Sequence, residues 1–307
     1  MSETAIPPST ETAATAVAMR AVARVSAMPH HAFDDSTFAH MLRVEPAALI
    51  DPFLGIDAFN MPQSYFLPHP HGGMSAITLL FDDSPGGVRN RDSQGDDSNI
   101  RPGDLHWTQA GKGIIHEETP AEPGQAAVGL QIFVNMAAQH KYVDAAVFKV
   151  ARAAMPTGRV DDATVVAVAG ALPGTEQYSP IDSDPRWATH VGILDVRVDA
   201  NGSVRLPVPP DHNVFFIWHA GDLVLGGEVH STPVSVLWQG GNATNAPTIA
   251  LQAGAKGLRG VVFHGKPIGE PVFPHGPFTG NSKQDILNYM QAYQDGEMGA
   301  LEASFSR

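Results

Sequence analysis

The chain has 307 residues, 43% of them hydrophobic, a net charge of −13 and no cysteine. That length allows one large domain or two ordinary ones, and the missing cysteine excludes disulfides, thiolate metal ligands and a cysteine nucleophile. The acidic balance, with no Lys/Arg cluster, argues against phosphate-led binding of DNA or RNA, and no run approaches the roughly 20 apolar residues of a membrane-spanning helix.

Residues 1–17 are rich in Ser, Thr, Ala, Pro and Glu and lack an apolar stretch. They read as a disordered tail rather than a signal peptide. Glu3 and Glu11 speak against a transit peptide, so the cytoplasm is the expected location.

The next informative segment is Phe66-Leu67-Pro68-His69-Pro70-His71-Gly72-Gly73, which runs into the apolar stretch Ala76–Phe81. In a strand, residues i and i+2 share a face, roughly 6.5–7 Å apart at the backbone, so His69 and His71 can aim at one point. A lone H-x-H is weak: 14 histidines in 307 residues would give about 0.6 such pairs by chance. A second couplet strengthens it. Pro102-Gly103-Asp104 forms a turn, Leu105 and Trp107 follow, and a Gly-rich bend then delivers His116 and Glu118. Two facing strands would hold one ion between His69, His71, His116 and Glu118, a ligand set that suits Fe, Zn, Ni, Cu or Mn. Six-coordinate Fe(II) would keep two positions open; tetrahedral Zn would be closed and structural. Asp104 is expected to serve the turn, and Glu118 is the candidate general base.

Further along, short strand-like runs recur between Gly, Pro and Asp: Val128–Val134, Thr164–Ala169, Val191–Val196, Asn213–Trp218, Val234–Trp238, Thr248–Leu251 and Leu258–Phe263. They predict sandwich or barrel architecture. The Ala-rich stretch around 144–162 shows no strand pattern and suggests a linker. Val214–Leu225 reads as a hairpin-like piece. His212, His219, His230 and His264 are scattered without a couplet and are expected to be ordinary core or surface residues. Near the end Ser282 reads as an N-cap, Ile286, Leu287, Met290 and Tyr293 as the apolar stripe of a helix against the barrel, and Gly296 as its stop. No P-loop, nucleotide-binding glycine motif, G-x-S-x-G or H-E-x-x-H is present.

Several strings together resemble the pirin family. His69-Pro70-His71-Gly72-Gly73 is similar to its H-P-H-R-G, and Asn90-Arg91-Asp92-Ser93-Gln94-Gly95 to its H-R-D-S-x-G. Arg101–Trp107 is similar to R-P-G-D-x-Q-W, Ala110–Glu118 to A-G-x-G-I-x-H-S-E, and Leu130–Asn135 to L-Q-L-W-V-N. Gly265-Lys266-Pro267, Glu270-Pro271-Val272 and Gly276-Pro277-Phe278 are similar to the closing motif, so the resemblance spans about residues 20–300. The departures are Gly72 for Arg, Met74 for an aromatic, Asn90 for His, His106 for Gln and Glu117 for Ser.

The resemblance implies an all-β chain of two tandem cupin (jelly-roll type) β-barrels with a short C-terminal helix. It places a metal-binding cupin at 18–145, a linker at 146–160 and a degenerate cupin plus the helix at 161–307. It implies one divalent transition metal on His69, His71, His116 and Glu118, with Fe(II) favoured and Zn, Ni, Cu, Mn and Co left open. Phe59, Phe66, Met74, Ile77, Trp107 and Ile114 are candidates for the apolar mouth. Asp57, Asn60, Gln109 and Glu117 are close enough in sequence to orient the imidazoles. Gly72 would widen the entrance or alter its electrostatics. Two functions follow by resemblance. One is a dioxygenase taking O2 and a small flavonol-like aromatic such as quercetin, with Glu118 catalytic. The other is a non-enzymatic, iron-dependent redox regulator of a protein partner such as a transcription factor. No nucleic-acid or membrane partner is expected. A sugar or small-acid isomerase, or a metal-stabilised barrel without turnover, stands behind both.

Overall fold

Short apolar and alternating runs become antiparallel strands throughout the computed structural model, which describes residues 18–34, 36–64, 66–240 and 247–305. The segment read as a tail, 1–17, lies outside these. The first half contributes a seven-stranded and a four-stranded sheet. In the larger sheet, Met74–Leu80 lies between Leu105–Gln109 and Ala127–Asn135, and the latter pairs with Phe53–Met61. In the smaller sheet, His69–His71 is the edge, followed by Ile114–Pro120, Val88–Asp92 and Asp97–Ile100. The second half forms one nine-stranded sheet around two long strands, Asn213–Leu225 and Thr248–Gly265. The all-β architecture with a short C-terminal helix is the expected one, built from open jelly-roll sheets rather than closed barrels.

Each end of the described chain serves the opposite half. Val22–Ala27 pairs with Val234–Trp238 in the nine-stranded sheet, whereas Phe278 bridges back to Gly72 beside the first couplet. The range read as a linker, 146–160, carries the strands Ala146–Val150 and Thr157–Val160, which pair with the first-half strand Leu105–Gln109 and the second-half strand Ala163–Ala169 respectively.

The expected hairpin at Val214–Leu225 is instead one bent strand, with register shifts at Trp218/Ala220 and Gly221/Leu223. Bulges let a long strand turn without ending. The true hairpin comes after it, where Leu225 faces Glu228 across Gly226-Gly227, both at positive φ. Likewise Thr248–Leu251 and Leu258–Phe263 merge into one strand. The helix runs Lys283–Gln294, with the Ser282 side chain accepting from the Asp285 amide. Of the expected stripe Ile286 is buried, with Tyr289 completing the packed face, whereas Leu287, Met290 and Tyr293 are 47%, 37% and 44% exposed. Tyr289, polar-tipped, is the side chain driven under the couplet, against Gly72.

Four apolar clusters lie among the described residues, one of them the small group of Ile115, Phe278, Ile286, Tyr289 and Met298 around the helix. Of the others, one lies between the halves, where Ile77, Leu79, Trp107, Leu130 and Ile132 meet Val168, Ile193, Phe215 and Phe263. A second fills the second half from within, from Val165 to Val262. The third, inside the first half, is small: Met61, Leu80, Val88, Ile100 and Ala127.

Candidate metal centre

Register brings the couplets together. Ile114 pairs with His71 and His116 with His69, so both couplets face the space between the first-half sheets. Pro70 lacks a backbone donor, and the strand edge is where its absence disturbs no ladder. The three imidazole centroids form a near-equilateral triangle of 5.0, 4.7 and 4.9 Å. One ligand atom from each of His69, His71 and His116 lies within 4.8 Å of the others, the only such group among the described residues. Glu118 lines the same cavity but stands outside that group; both its oxygens accept from Thr78 Oγ1, at 2.7 and 2.8 Å.

The donor set fits a metal ion. Burial, and then the neighbouring His69, push His71 down to about 3. Burial, and then the neighbouring His69, His71 and His106, hold His116 well below its usual value. Neutral imidazoles are the metal-binding form. His116 Nδ1 is buried with no hydrogen-bond partner. His69 Nδ1 donates to the Leu67 carbonyl at 2.9 Å, which leaves Nε2 free for a ligand. Burial raises the Glu118 carboxyl.

Above the cluster is a cavity of about 260 Å³. Phe38, Phe59, Phe66, Phe133, Met41 and Met61 give it an aromatic and thioether wall, while Asp57 and Gln131 add polar points. Asp57 is held by Arg43 in a two-point ion pair (2.6 and 3.0 Å), and Arg43 in turn lies over Phe133. Of the residues expected at the mouth, Phe59 and Phe66 line it. Met74, Ile77, Trp107 and Ile114 do not. Strand parity is the reason for two of them: Ile77 and Trp107 point out of the first half into the core between the halves, where Trp107 meets Trp187 edge-on. Met74 is buried against Thr279, and Ile114 is fully buried opposite His71 in the strand pair.

None of the four residues expected behind the imidazoles touches them. Asp57 faces the cavity, Asn60 is half-buried with its Oδ1 unpaired, Gln109 bonds the Arg186 carbonyl and Ala188 amide, and Glu117 faces the opposite side of its strand. Asp104 serves the turn, accepting from the Arg101 amide at 3.2 Å. Gly72 does not widen the entrance. A Cβ there would lie 2.8 Å from the Tyr289 ring, so glycine lets the helix close against the outside of the couplet.

Three supporting residues escaped sequence reasoning. Thr78 donates to Glu118 and is itself backed by Gln131, whose Oε1 lies 3.2 Å from Thr78 Oγ1 and whose Nε2 is anchored on the Ile77 carbonyl at 3.2 Å. Lys141 is buried under the first couplet, where its Nζ donates to Gly73 O, Asn135 Oδ1 and Thr279 O at 2.8, 2.7 and 3.0 Å. Burial pushes Lys141 down to about 8. The period-2 placement of Thr78 and Gln131 in apolar strands was the available signal; Lys141 had none.

Family models described as Pirin and as Pirin C-terminal cupin domain match residues 23–134 and 193–299. A pirin-like protein of Solanum lycopersicum is 31% identical over 255 residues, covering 81% of this chain and 81% of its own. The chain belongs to the pirin family. A Pseudomonas aeruginosa relative with the provisional name quercetin 2,3-dioxygenase is 30% identical across 80% of this pirin-family chain and 86% of its own. The crystal structure of quercetin 2,3-dioxygenase from Acinetobacter baumannii superposes with a TM-score of 0.79, covering 92% of this chain and 99% of that one. At 21% identity that match establishes the shared two-cupin fold alone.

Proposed function

We propose that this pirin-family protein is a metal-dependent dioxygenase, with Fe(II) the favoured ion, acting with O2 on flavonol-like or enolic aromatic substrates such as quercetin. The observation that carries this reading is the aromatic-walled cavity of about 260 Å³ that ends on the histidine triangle. The name of the P. aeruginosa relative supports it. A redox-sensing regulator needs no such cavity.

His69, His71 and His116 would hold the ion, with Glu118 as the fourth ligand. When bound, the metal would supply a Lewis-acid position for a deprotonated substrate hydroxyl beside O2. Glu118 would take the substrate's hydroxyl proton, and Thr78 Oγ1 steadies that carboxylate. Phe38, Phe59 and Phe133 exclude water and offer ring faces to a planar substrate. Asp57 gives a distal hydroxyl an acceptor.

The test is O2 consumption by Fe(II)-loaded protein with and without quercetin, beside a His116→Ala control. Uptake that requires flavonol, iron and His116 is expected. No uptake despite one bound iron per chain would sink the proposal.

A further inference from the structure

The strand Ile114–Pro120 carries His116 and Glu118 inward, so Ile115 and Glu117 must face outward. An outward carboxylate normally sits in water, yet the Glu117 side chain is 1% exposed. The chain after the helix covers it. The Ser304 amide donates to Glu117 Oε1 at 3.0 Å, and Arg91 Nη1 donates to Oε2 at 3.1 Å. Arg91 also donates to the Glu302 carbonyl at 3.2 Å, tying the carboxylate and the covering segment into one network.

The same segment grips the strand at two further points. Ser93 Oγ donates to the Met298 carbonyl at 2.6 Å and accepts from the Ile115 amide at 3.0 Å, one residue before His116. Met298 packs into a cluster with Ile115, Phe278, Ile286 and Tyr289, and lies where a Cβ on Gly113 would collide at 2.5 Å. So 298–304 touches the second couplet's strand at its entry, beside its histidine and between its two ligands.

We propose that 298–304 is a strap latched by Glu117 across the outer face of the metal-site sheet, and that this latch sets the position of His116 and Glu118. Glu117 and Ser304 are positioning residues: they touch neither ion nor substrate. A buried carboxylate is costly unless its oxygens are paired, so Glu117 holds the strap closed while the strap supplies its partner. Groups that orient ligands typically change metal affinity by about 10–100-fold when removed. This inference rests on the metal-binding reading of the histidine triangle.

The test uses the full chain loaded with Co(II), reading its visible spectrum and its release rate to a chelator. Ser304→Pro deletes one N–H and leaves every residue near the ligands unchanged. Ser304→Pro and Glu117→Ala are expected to alter the spectrum and release Co(II) about 10-fold faster. Glu117→Gln, which still accepts from the Ser304 amide, should restore part of the loss. Glu302→Ala, whose backbone carbonyl alone takes part, should match the wild type. Thermal melts run alongside separate positioning from bulk stability. A lowered Tm with unchanged spectrum and release rate would overturn the latch while leaving the metal reading intact. Failure of the wild type to take up Co(II) would overturn both.

Discussion

The two halves share a fold but fill their interiors in opposite ways. Inside the second half, Val165, Val196, Leu206, Phe216, Val236 and Val262 pack into a continuous apolar core. Inside the first half, the comparable space holds a triangle of imidazoles, a carboxylate, Thr78, Gln131 and an open cavity, with only a small apolar cluster at one end. The first half compensates on its outer face, where its larger sheet lends Ile77, Trp107, Leu130 and Ile132 to the core between the halves. The second half therefore acts as a stable backing, and the first can keep polar groups inside because much of its burial is obtained from outside. One sheet architecture thus supports a site in one copy and a core in the other, according to which side of each strand carries the apolar residues.

The largest effect should come from treating the two interiors alike. Phe216→Ala in the second half removes a fully buried ring and should cost about 3–5 kcal/mol in denaturant unfolding. Phe38→Ala removes a ring of the same size from the cavity wall, where space already exists, and should cost about 1 kcal/mol or less while weakening quercetin binding. Equal losses at the two positions would show that the first half is also packed as a core.

Acid should act next. His71 is held at about 3 against an ordinary 6.5, and His116 is depressed in the same direction. In the second half, burial likewise brings His264 to about 3 and His219 to about 4. Each binds its proton more readily in the unfolded chain. Stability is thus full above about pH 6.5 and falls as pH drops toward 3. Melting temperature across this range should decline for the metal-free protein and more steeply for the metal-loaded one, because protons also displace the ion. A flat profile would mean that these histidines are not held neutral.

The smallest effect belongs to Thr78→Val. Removing the hydroxyl that donates to Glu118 should cost about 1–1.5 kcal/mol of turnover barrier, roughly a tenfold fall in kcat/KM, with the metal retained. Loss of metal instead would make Thr78 part of the support for ligand binding.

The metal couplets were readable because they are local. Two residues apart in a strand is a geometry the chain carries by itself, and the Pro and Gly around His69 and His71 mark an edge and a close approach. The strands were readable for the same reason, since Val128–Val134 alternates in burial and Ala76–Phe81 is a short apolar run bounded by turn residues. Trp107 was misplaced because an apolar residue near a couplet says nothing about which face its strand turns toward the site. The helix stripe failed in part likewise: Leu287 and Met290 are as apolar as Ile286, and only the docking of Tyr289 against Gly72 selects the buried face.

By itself, then, the sequence determined the β class, the spacing of the four candidate ligands and the punctuation that ends each strand, all set by interactions within a few residues. The tertiary structure alone decided that Thr78, backed by Gln131, holds Glu118, that Lys141 staples the first couplet, and that 298–304 covers Glu117. Those contacts join residues tens to nearly two hundred positions apart. No local pattern encodes them, because they exist only once sheet register and the packing of the two halves have brought distant strands to one place.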